Sequence, residues 1–241
     1  MGTLERGTGS VRAAICLVAS LAAASTLTAG ETTIDRQSLC VTKGEIGSRQ
    51  GGRLAIEGPE VRAVALVATA QAAEMRFVYR GASAGTKPLG SGEVRRQLGL
   101  KLRAQNSCNV VYVMWRIEPE AKLVVSIKRN PGQELHAQCG THGYTNVKPG
   151  RHRAVPHVEP GSAHRLRAEL RGRELRVFAD GEPVWEGTLG PEIEEFDGPV
   201  GLRTDNVRLE LQYLADEGRP DPGATLSAGM RKKCGGQGEG D

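Results

Sequence analysis

Four stretches of this 241-residue chain alternate apolar and polar side chains with a period of two. Leu98, Leu100 and Leu102 alternate with Gln97, Gly99, Lys101 and Arg103. Leu166, Ala168 and Leu170 alternate with Arg165, Arg167 and Glu169, and Leu175, Val177 and Ala179 with Glu174, Arg176 and Phe178. Near the end Val207, Leu209, Leu211 and Tyr213 alternate with Arg208, Glu210 and Gln212. Successive side chains of a strand point to opposite faces, so each stretch predicts a strand with one face turned inward. No amphipathic helix of comparable quality occurs. The Ala-rich stretch 61–73 fits strand or short helix by propensity and is read as strand. Asp180-Gly181, between 173–179 and 183–186, is the dipeptide of a two-residue hairpin turn, and Arg171-Gly172 separates two further alternating runs. Short strands joined by Gly- and Pro-bearing turns predict an all-β fold, an antiparallel β-sandwich of jelly-roll type.

The first thirty residues read differently. Arg6 and Arg12, offset by Glu5, precede an apolar and small-residue run over 11–27 that ends in Thr28-Ala29-Gly30. That is the pattern of a secretory signal peptide (1–30) cut near Ala29 or Gly30. The run is diluted with Ala and Ser and falls short of the roughly 20 apolar residues of a spanning helix. The expected product is an exported, periplasmic or extracellular chain without a membrane span, with a single sandwich domain over 31–215. Residues 216–241, rich in Gly, Asp and Pro, read as a flexible tail. The net charge of +4 is spread without a basic block, which is not the footprint of a nucleic-acid binder. The excess of Arg over Lys, with abundant Ala and Gly, suits a bacterial source.

Of five cysteines, Cys16 leaves with the leader; Cys40, Cys108, Cys139 and Cys234 remain. An even number in an oxidising compartment predicts two disulfides. Three connectivities are open. Cys108–Cys139 with Cys40–Cys234 is favoured because it ties two neighbouring strand regions and the two chain ends, each bond contributing about 3–5 kcal/mol in the chain-entropy model. All five histidines fall between His136 and His164, and His136, Cys139 and His142 have a spacing that could hold zinc. An oxidised Cys139, a Gly/Pro-rich loop and the lack of a fourth ligand weigh against it, so no metal or cofactor is expected. His142 and Tyr144 are loop candidates for the edge of a ligand cleft.

Residues 162–214 contain Leu175-Arg176-Val177-Phe178-Ala179-Asp180-Gly181, then Val184-Trp185-Glu186-Gly187 and Gly198-Pro199-Val200-Gly201-Leu202-Arg203. This run resembles the C-terminal half of a concanavalin A-like lectin/glucanase sandwich, with laminin G-type and 3-keto-disaccharide hydrolase domains sharing the pattern. The resemblance covers about a quarter of the chain and speaks to fold more than to function. It implies a concave sheet that often binds sugars. In the stretch 110–116, apolar on both faces, Tyr112, Met114 and Arg116 share one face, and Val111, Val113 and Trp115 the other. Tyr112, Trp115 and Arg116 are candidate ligand residues, Arg116 as a donor to hydroxyls, with burial in the core the competing reading of Trp115. Aromatics are only 4% of residues, too few for a broad stacking platform.

No catalytic set is legible. Glu192, Glu194 and Glu195 lack the Glu-x-Asp-x-Glu spacing that puts a retaining glucanase's acid and nucleophile about 5 Å apart, and read as a solvated charge run. No Gly-x-Ser-x-Gly elbow occurs, and Gly90-Ser91-Gly92 reads as a turn. A carbohydrate- or cell-envelope-glycan-binding protein leads the expectations. A sugar-derivative hydrolase and a structural or adhesive envelope protein are the alternatives.

Overall fold

The computed structural model describes residues 1–2, 31–66, 72–216 and Cys234. Sixteen strands are described. The first six are β1 (Glu31–Ile34), β2 (Leu39–Lys43), β3 (Gly47–Ser48), β4 (Leu54–Ile56), β5 (Glu60–Ala65) and β6 (Ala72–Ala82). Next come β7 (Arg96–Leu102), β8 (Val110–Glu118), β9 (Lys122–Lys128), a one-turn helix α1 (His136–Cys139), β10 (Tyr144–Asn146) and β11 (Arg151–His152). The hairpin strands β12 (Ala163–Arg171), β13 (Glu174–Ala179) and β14 (Glu182–Thr188) precede β15 (Gly201–Asp205) and β16 (Val207–Asp216). One sheet runs β11-β14-β13-β12-β6-β16-β4-β3, with β1 also paired to β16; the other runs β10-β9-β8-β7-β15-β5-β2. The pairings are antiparallel, and the expected β-sandwich is the fold observed.

Period-two patterning explains the layering. Leu98, Leu100 and Leu102 of β7 face Leu166, Ala168 and Leu170 of β12 and Leu209, Leu211 and Tyr213 of β16 within one buried cluster. Each such Leu removed from water contributes about 1.5–3 kcal/mol. Trp115 lies between the sheets, fully buried, its ring edge-on to Phe77 at 5.8 Å. At the hairpin tip Asp180 and Gly181 both have positive φ, 53° and 91°, as a type I′ turn requires.

Two local expectations change, and the acidic run keeps the exposed Glu194 and Glu195 of a solvated charge run. The stretch 61–73 is not one strand: β5 ends at Ala65 in one sheet and β6 begins at Ala72 in the other. Both strands bury residues on both faces, so periodicity carries no sign of the crossing. The polar face of β7 is buried too, with Gln97 at 3% and Lys101 at 7% exposure, because the segments 87–95 and 136–141 rise beside it. The acidic run Glu192–Glu195 falls in a 3-10 turn, Pro191–Glu195, that buries Ile193 and pairs Glu195 with Arg129 at 2.8 Å. The disulfides join Cys40 to Cys234 and Cys108 to Cys139. The expected signal peptide and tail lie outside the described residues, Met1, Gly2, Asp216 and Cys234 excepted. Among the described residues no helix is long and apolar enough to cross a membrane.

Candidate functional site

The two outer faces of the sandwich differ in charge. On the larger sheet, acids and bases alternate and neutralise one another: Arg76 meets Glu31 at 2.8 Å, and Arg167 meets Glu31 at 2.9 Å and Asp216 at 3.2 Å. On the smaller sheet the outer face floors a trough of about 810 Å³, walled by the segments 87–95 and 136–141. Its lining holds eight lysines and arginines against three carboxylates, Glu60, Glu93 and Asp205. That local excess exceeds the +4 of the whole chain, so the positive charge of the molecule is concentrated here.

Strand register arranges the floor in rows. Asp205 stands opposite both Glu60 and Gln97, and Gln97 opposite Arg116, which places the four side by side across β5, β15, β7 and β8. In the next row Arg203 stands between Arg62 and Gly99, with Met114 beyond. A Cβ on Gly99 would sit 2.2 Å from the carbonyl oxygen of Val113 and 2.7 Å from Met114 Sδ. Only glycine permits that approach. The low point it leaves lies beside Arg203, whose guanidinium reaches across to the ring of Tyr112, 5.2 Å from its centroid. Tyr144 stacks on Tyr112 with centroids 5.9 Å apart and planes at 25°, and Lys128 Nζ lies 5.2 Å from the Tyr144 centroid.

Asp205 anchors the arginines. Its Oδ1 accepts from Arg62 Nη2 at 2.6 Å and its Oδ2 from Gln97 Nε2 at 2.7 Å and Arg203 Nε at 3.0 Å. Burial would raise its pKa, but Arg203, Arg62 and Gln97 outweigh burial and hold the carboxyl below its ordinary value. Burial likewise works against the charge of Arg203, and Asp205, Tyr112 and Tyr144 more than restore it. Burial pushes the Tyr112 hydroxyl well above its ordinary range.

Among the described residues, Arg116 and Lys128 on this face make no ion pair with a carboxylate. Arg116 is 9% exposed and its buried Nε has no hydrogen-bond acceptor among the described residues; burial and the nearby Arg95 lower its pKa and outweigh the opposing pull of Glu93 and Glu120. Lys128, 1% exposed, donates to the carbonyl oxygens of Ser107 at 3.2 Å and Gly140 at 2.8 Å and to Cys139 Sγ at 3.1 Å. Burial and the charge of Arg203 bring its pKa down to about 8. An uncompensated buried cation costs stability. Arg116, Arg95, Val124 and Asn146 also line a second hollow of about 800 Å³ bounded by Val147, His152 and Trp185, so Arg116 sits where the two hollows meet.

The side chain of Asn206 positions one wall. It occupies the tight turn between β15 and β16 at φ 57°, a conformation Asn tolerates better than most residues. Its Nδ2 donates to the carbonyls of Lys87 and Arg95, both at 2.9 Å, and its Oδ1 accepts from the Lys87 N–H at 2.7 Å. Both ends of the 87–95 segment are thus fastened to one side chain. The Cys108–Cys139 bond ties the opposite wall to the start of β8.

Of the candidates read from the sequence, Tyr112 and Arg116 lie on the trough floor and Tyr144, 42% exposed, at its rim. Trp115 belongs to the core between the sheets and faces away from the trough, as the phase of β8 requires. His142 is exposed and lies outside the lining, which His136 joins instead. The disulfide takes the Cys139 sulfur out of the His136–Cys139–His142 set, and no cluster of three potential metal ligands occurs among the described residues. Arg203, Asp205, Lys128 and Asn206 were not singled out by sequence. Arg203 and Asp205 alternate with Leu202 and Thr204, and that phase was the available signal.

A second constellation lies at the start of the β12 hairpin. Ser162 Oγ is 2.8 Å from His164 Nε2, and His164 Nδ1 is 2.8 Å from Asp180 Oδ2. A serine nucleophile needs an adjacent oxyanion hole. Here the N–H groups of Gly161 and Ser162 donate to the carbonyls of Tyr79 and Glu159, and Ser162 Oγ itself donates to the Glu159 carbonyl at 2.6 Å. His164 packs against Trp115 and Phe77. The relay fastens the hairpin tip to the core.

No family model matches the chain, and no curated protein matches it in sequence. Among solved structures, it is similar to a carbohydrate-binding module, CBM66, from Bacillus subtilis at 11% identity, covering 73% of this chain and 92% of that one with a TM-score of 0.47. Domain 4 of an extracellular arabinanase from Geobacillus stearothermophilus, solved with arabinotriose, aligns at 11% identity over 81% of this chain and 87% of its own, with a TM-score of 0.41. The galectin LEC-6 of Caenorhabditis elegans aligns at 10% identity over 76% and 99%, with a TM-score of 0.37. These likenesses are distant, and nothing about the ligand of this chain follows from them.

Proposed function

We propose that this chain is an exported glycan-binding protein that holds its ligand, without cleaving it, in the trough of the seven-stranded sheet. The observation that carries the reading is Tyr144, a large aromatic left exposed at the rim, its ring braced on Tyr112, above a floor of hydrogen-bonding side chains. An apolar ring face beside fixed donors and acceptors suits a sugar, which offers a C–H face and a perimeter of hydroxyls. Two disulfides fit export to an oxidising compartment.

The trough carboxylates argue against glycosidase chemistry. A general acid needs a raised pKa. Asp205 is held below its ordinary value, and so is Glu60, where burial is outweighed by Lys87, Lys43 and Arg62. Glu93 is paired with Arg95.

Affinity gel electrophoresis of the full chain against a panel of soluble polysaccharides tests the reading. At least one polysaccharide should retard the protein, and Tyr144→Ala should weaken that retardation by tenfold or more while leaving the unfolding midpoint within error. No retardation by any member of a panel spanning neutral and acidic chains would refute it.

A further inference from the structure

We propose that the ligand of the trough is an anionic glycan, a chain bearing carboxylate or sulfate groups, with Arg116 as the receptor for one acid group and Tyr144 as the stacking surface at the other end of the site. The inference rests on the glycan-binding reading and specifies the class of glycan.

Three observations carry it. First, the trough lining holds eight lysines and arginines against three carboxylates, whereas the opposite sheet's outer face pairs its charges internally. Such an excess over a low-dielectric floor focuses a positive potential into the cleft. Neutral sugar hydroxyls need no such field, and desolvating the cations for a neutral ligand would be a net cost. Second, the carboxylates of the site are already engaged: Asp205 by Arg62, Arg203 and Gln97, Glu60 by Lys43 and Lys87, and Glu93 by Arg95. Third, Arg116 remains. It is more than nine-tenths buried, lines the trough, and keeps an Nε without an acceptor among the described residues. A guanidinium left this way is a fork preorganised for a carboxylate or sulfate.

The second unpaired cation sets a length. Lys128 stands opposite Val110, six residues along β8 from Arg116, or about 20 Å at the rise of a strand. It borders Tyr144. Positive charge therefore lies under both ends of the site, at Lys128 as a field rather than a free donor, and beyond Arg116 the second hollow continues the path. An extended acidic chain fits this layout better than a single acidic sugar.

The test measures binding of the full chain to polygalacturonate and alginate, which carry carboxylates, to dextran sulfate, which carries sulfates, and to neutral dextran, laminarin and xylan. Arg116→Ala, Arg116→Lys and a control, Arg80→Ala, are compared with the parent protein. Arg80 is half-exposed on the opposite sheet, paired with Glu210, so its loss changes net charge equally without touching the trough. The expected result is binding to an acidic chain at least tenfold tighter than to any neutral one, weakened tenfold or more by Arg116→Ala, only partly rescued by Arg116→Lys, and unchanged by Arg80→Ala. The carboxylate and sulfate arms identify which acid group is read. Equal or tighter binding to a neutral chain overturns the anionic class while leaving the glycan-binding reading intact. Equal weakening by Arg80→Ala and Arg116→Ala also overturns it, because the attraction would then be bulk charge. Absence of binding to every chain overturns both readings together.

Discussion

Replacing Lys128 with Met tests whether the trough floor holds an uncompensated buried cation. Lys128 is 1% exposed, and burial followed by the charge of Arg203 lowers its pKa from 10.5 to about 8. Below pH 8 the amine is charged in both the folded and unfolded chain, and the folded state bears the full cost of burying it. Between pH 8 and 10.5 the unfolded chain still holds a proton that the folded chain has released, so stability rises with pH across that window. The fall from 10.5 to about 8 amounts to about 3 kcal/mol, of which about 2 kcal/mol is recovered between about pH 6.5 and about pH 9.5. Met keeps the length of the side chain and removes the charge, but abandons the hydrogen bonds to the Ser107 and Gly140 carbonyls, a loss of about 1–3 kcal/mol. Lys128→Met should therefore be as stable as the parent or more so near pH 6.5, and its stability relative to the parent should fall by about 2 kcal/mol on going to about pH 9.5. Asp205 stays ionised throughout this window, so it does not contribute to the change. Urea unfolding of both proteins at the two pH values, with disulfides kept oxidised, gives the difference directly. A gap between parent and variant that is constant with pH would refute the claim that Lys128 is buried as an unpaired amine.

Asp205→Asn should cost about 3–5 kcal/mol by urea unfolding, since it keeps the shape but leaves Arg203 buried without its counter-charge and Arg62 with Glu60 alone, at 3.3 Å. The same carboxylate makes the parent acid-sensitive: its stabilisation is complete above its ordinary value of 3.8 and is lost as pH falls through the lower folded value. Trp115→Ala should cost about 3–5 kcal/mol, whereas Trp115→Phe should cost much less, because it also removes a buried indole N–H that has no acceptor among the described residues; neither should alter glycan affinity beyond the effect of stability. Asn206→Ala should release the 87–95 wall, losing three hydrogen bonds at about 1 kcal/mol each, and hydrogen exchange should quicken in that segment ahead of the β7 core.

The sandwich was legible because its strands present one apolar face to the core. The phases of β7, β12, β13 and β16 all follow the period-two pattern, and the Asp180-Gly181 turn marked its hairpin without help from the rest of the fold. The pattern failed where both faces are buried: the Ala-rich stretch holding the end of β5 and the start of β6 showed no change of phase at the crossing. The same blindness governs the site. The phase of residues 110–116 grouped Tyr112 with Arg116 and set Trp115 opposite, and that grouping is the one the trough uses. Yet no local pattern says which face of a doubly covered strand meets the core and which meets a ligand. Of the polar residues of the floor, Gln97 and Lys101 looked like the solvated face of a half-buried strand, and Arg203 and Asp205 fell outside the stretches read as alternating. What makes them a site is lateral register: β15 lies between β7 and β5, so Arg203 and Asp205 come to rest beside Gly99 and Gln97, a hundred residues earlier in the chain. A sequence carries the alternation within a strand. It does not carry which strand will lie next to it, and the charge excess that defines this trough exists only across that boundary.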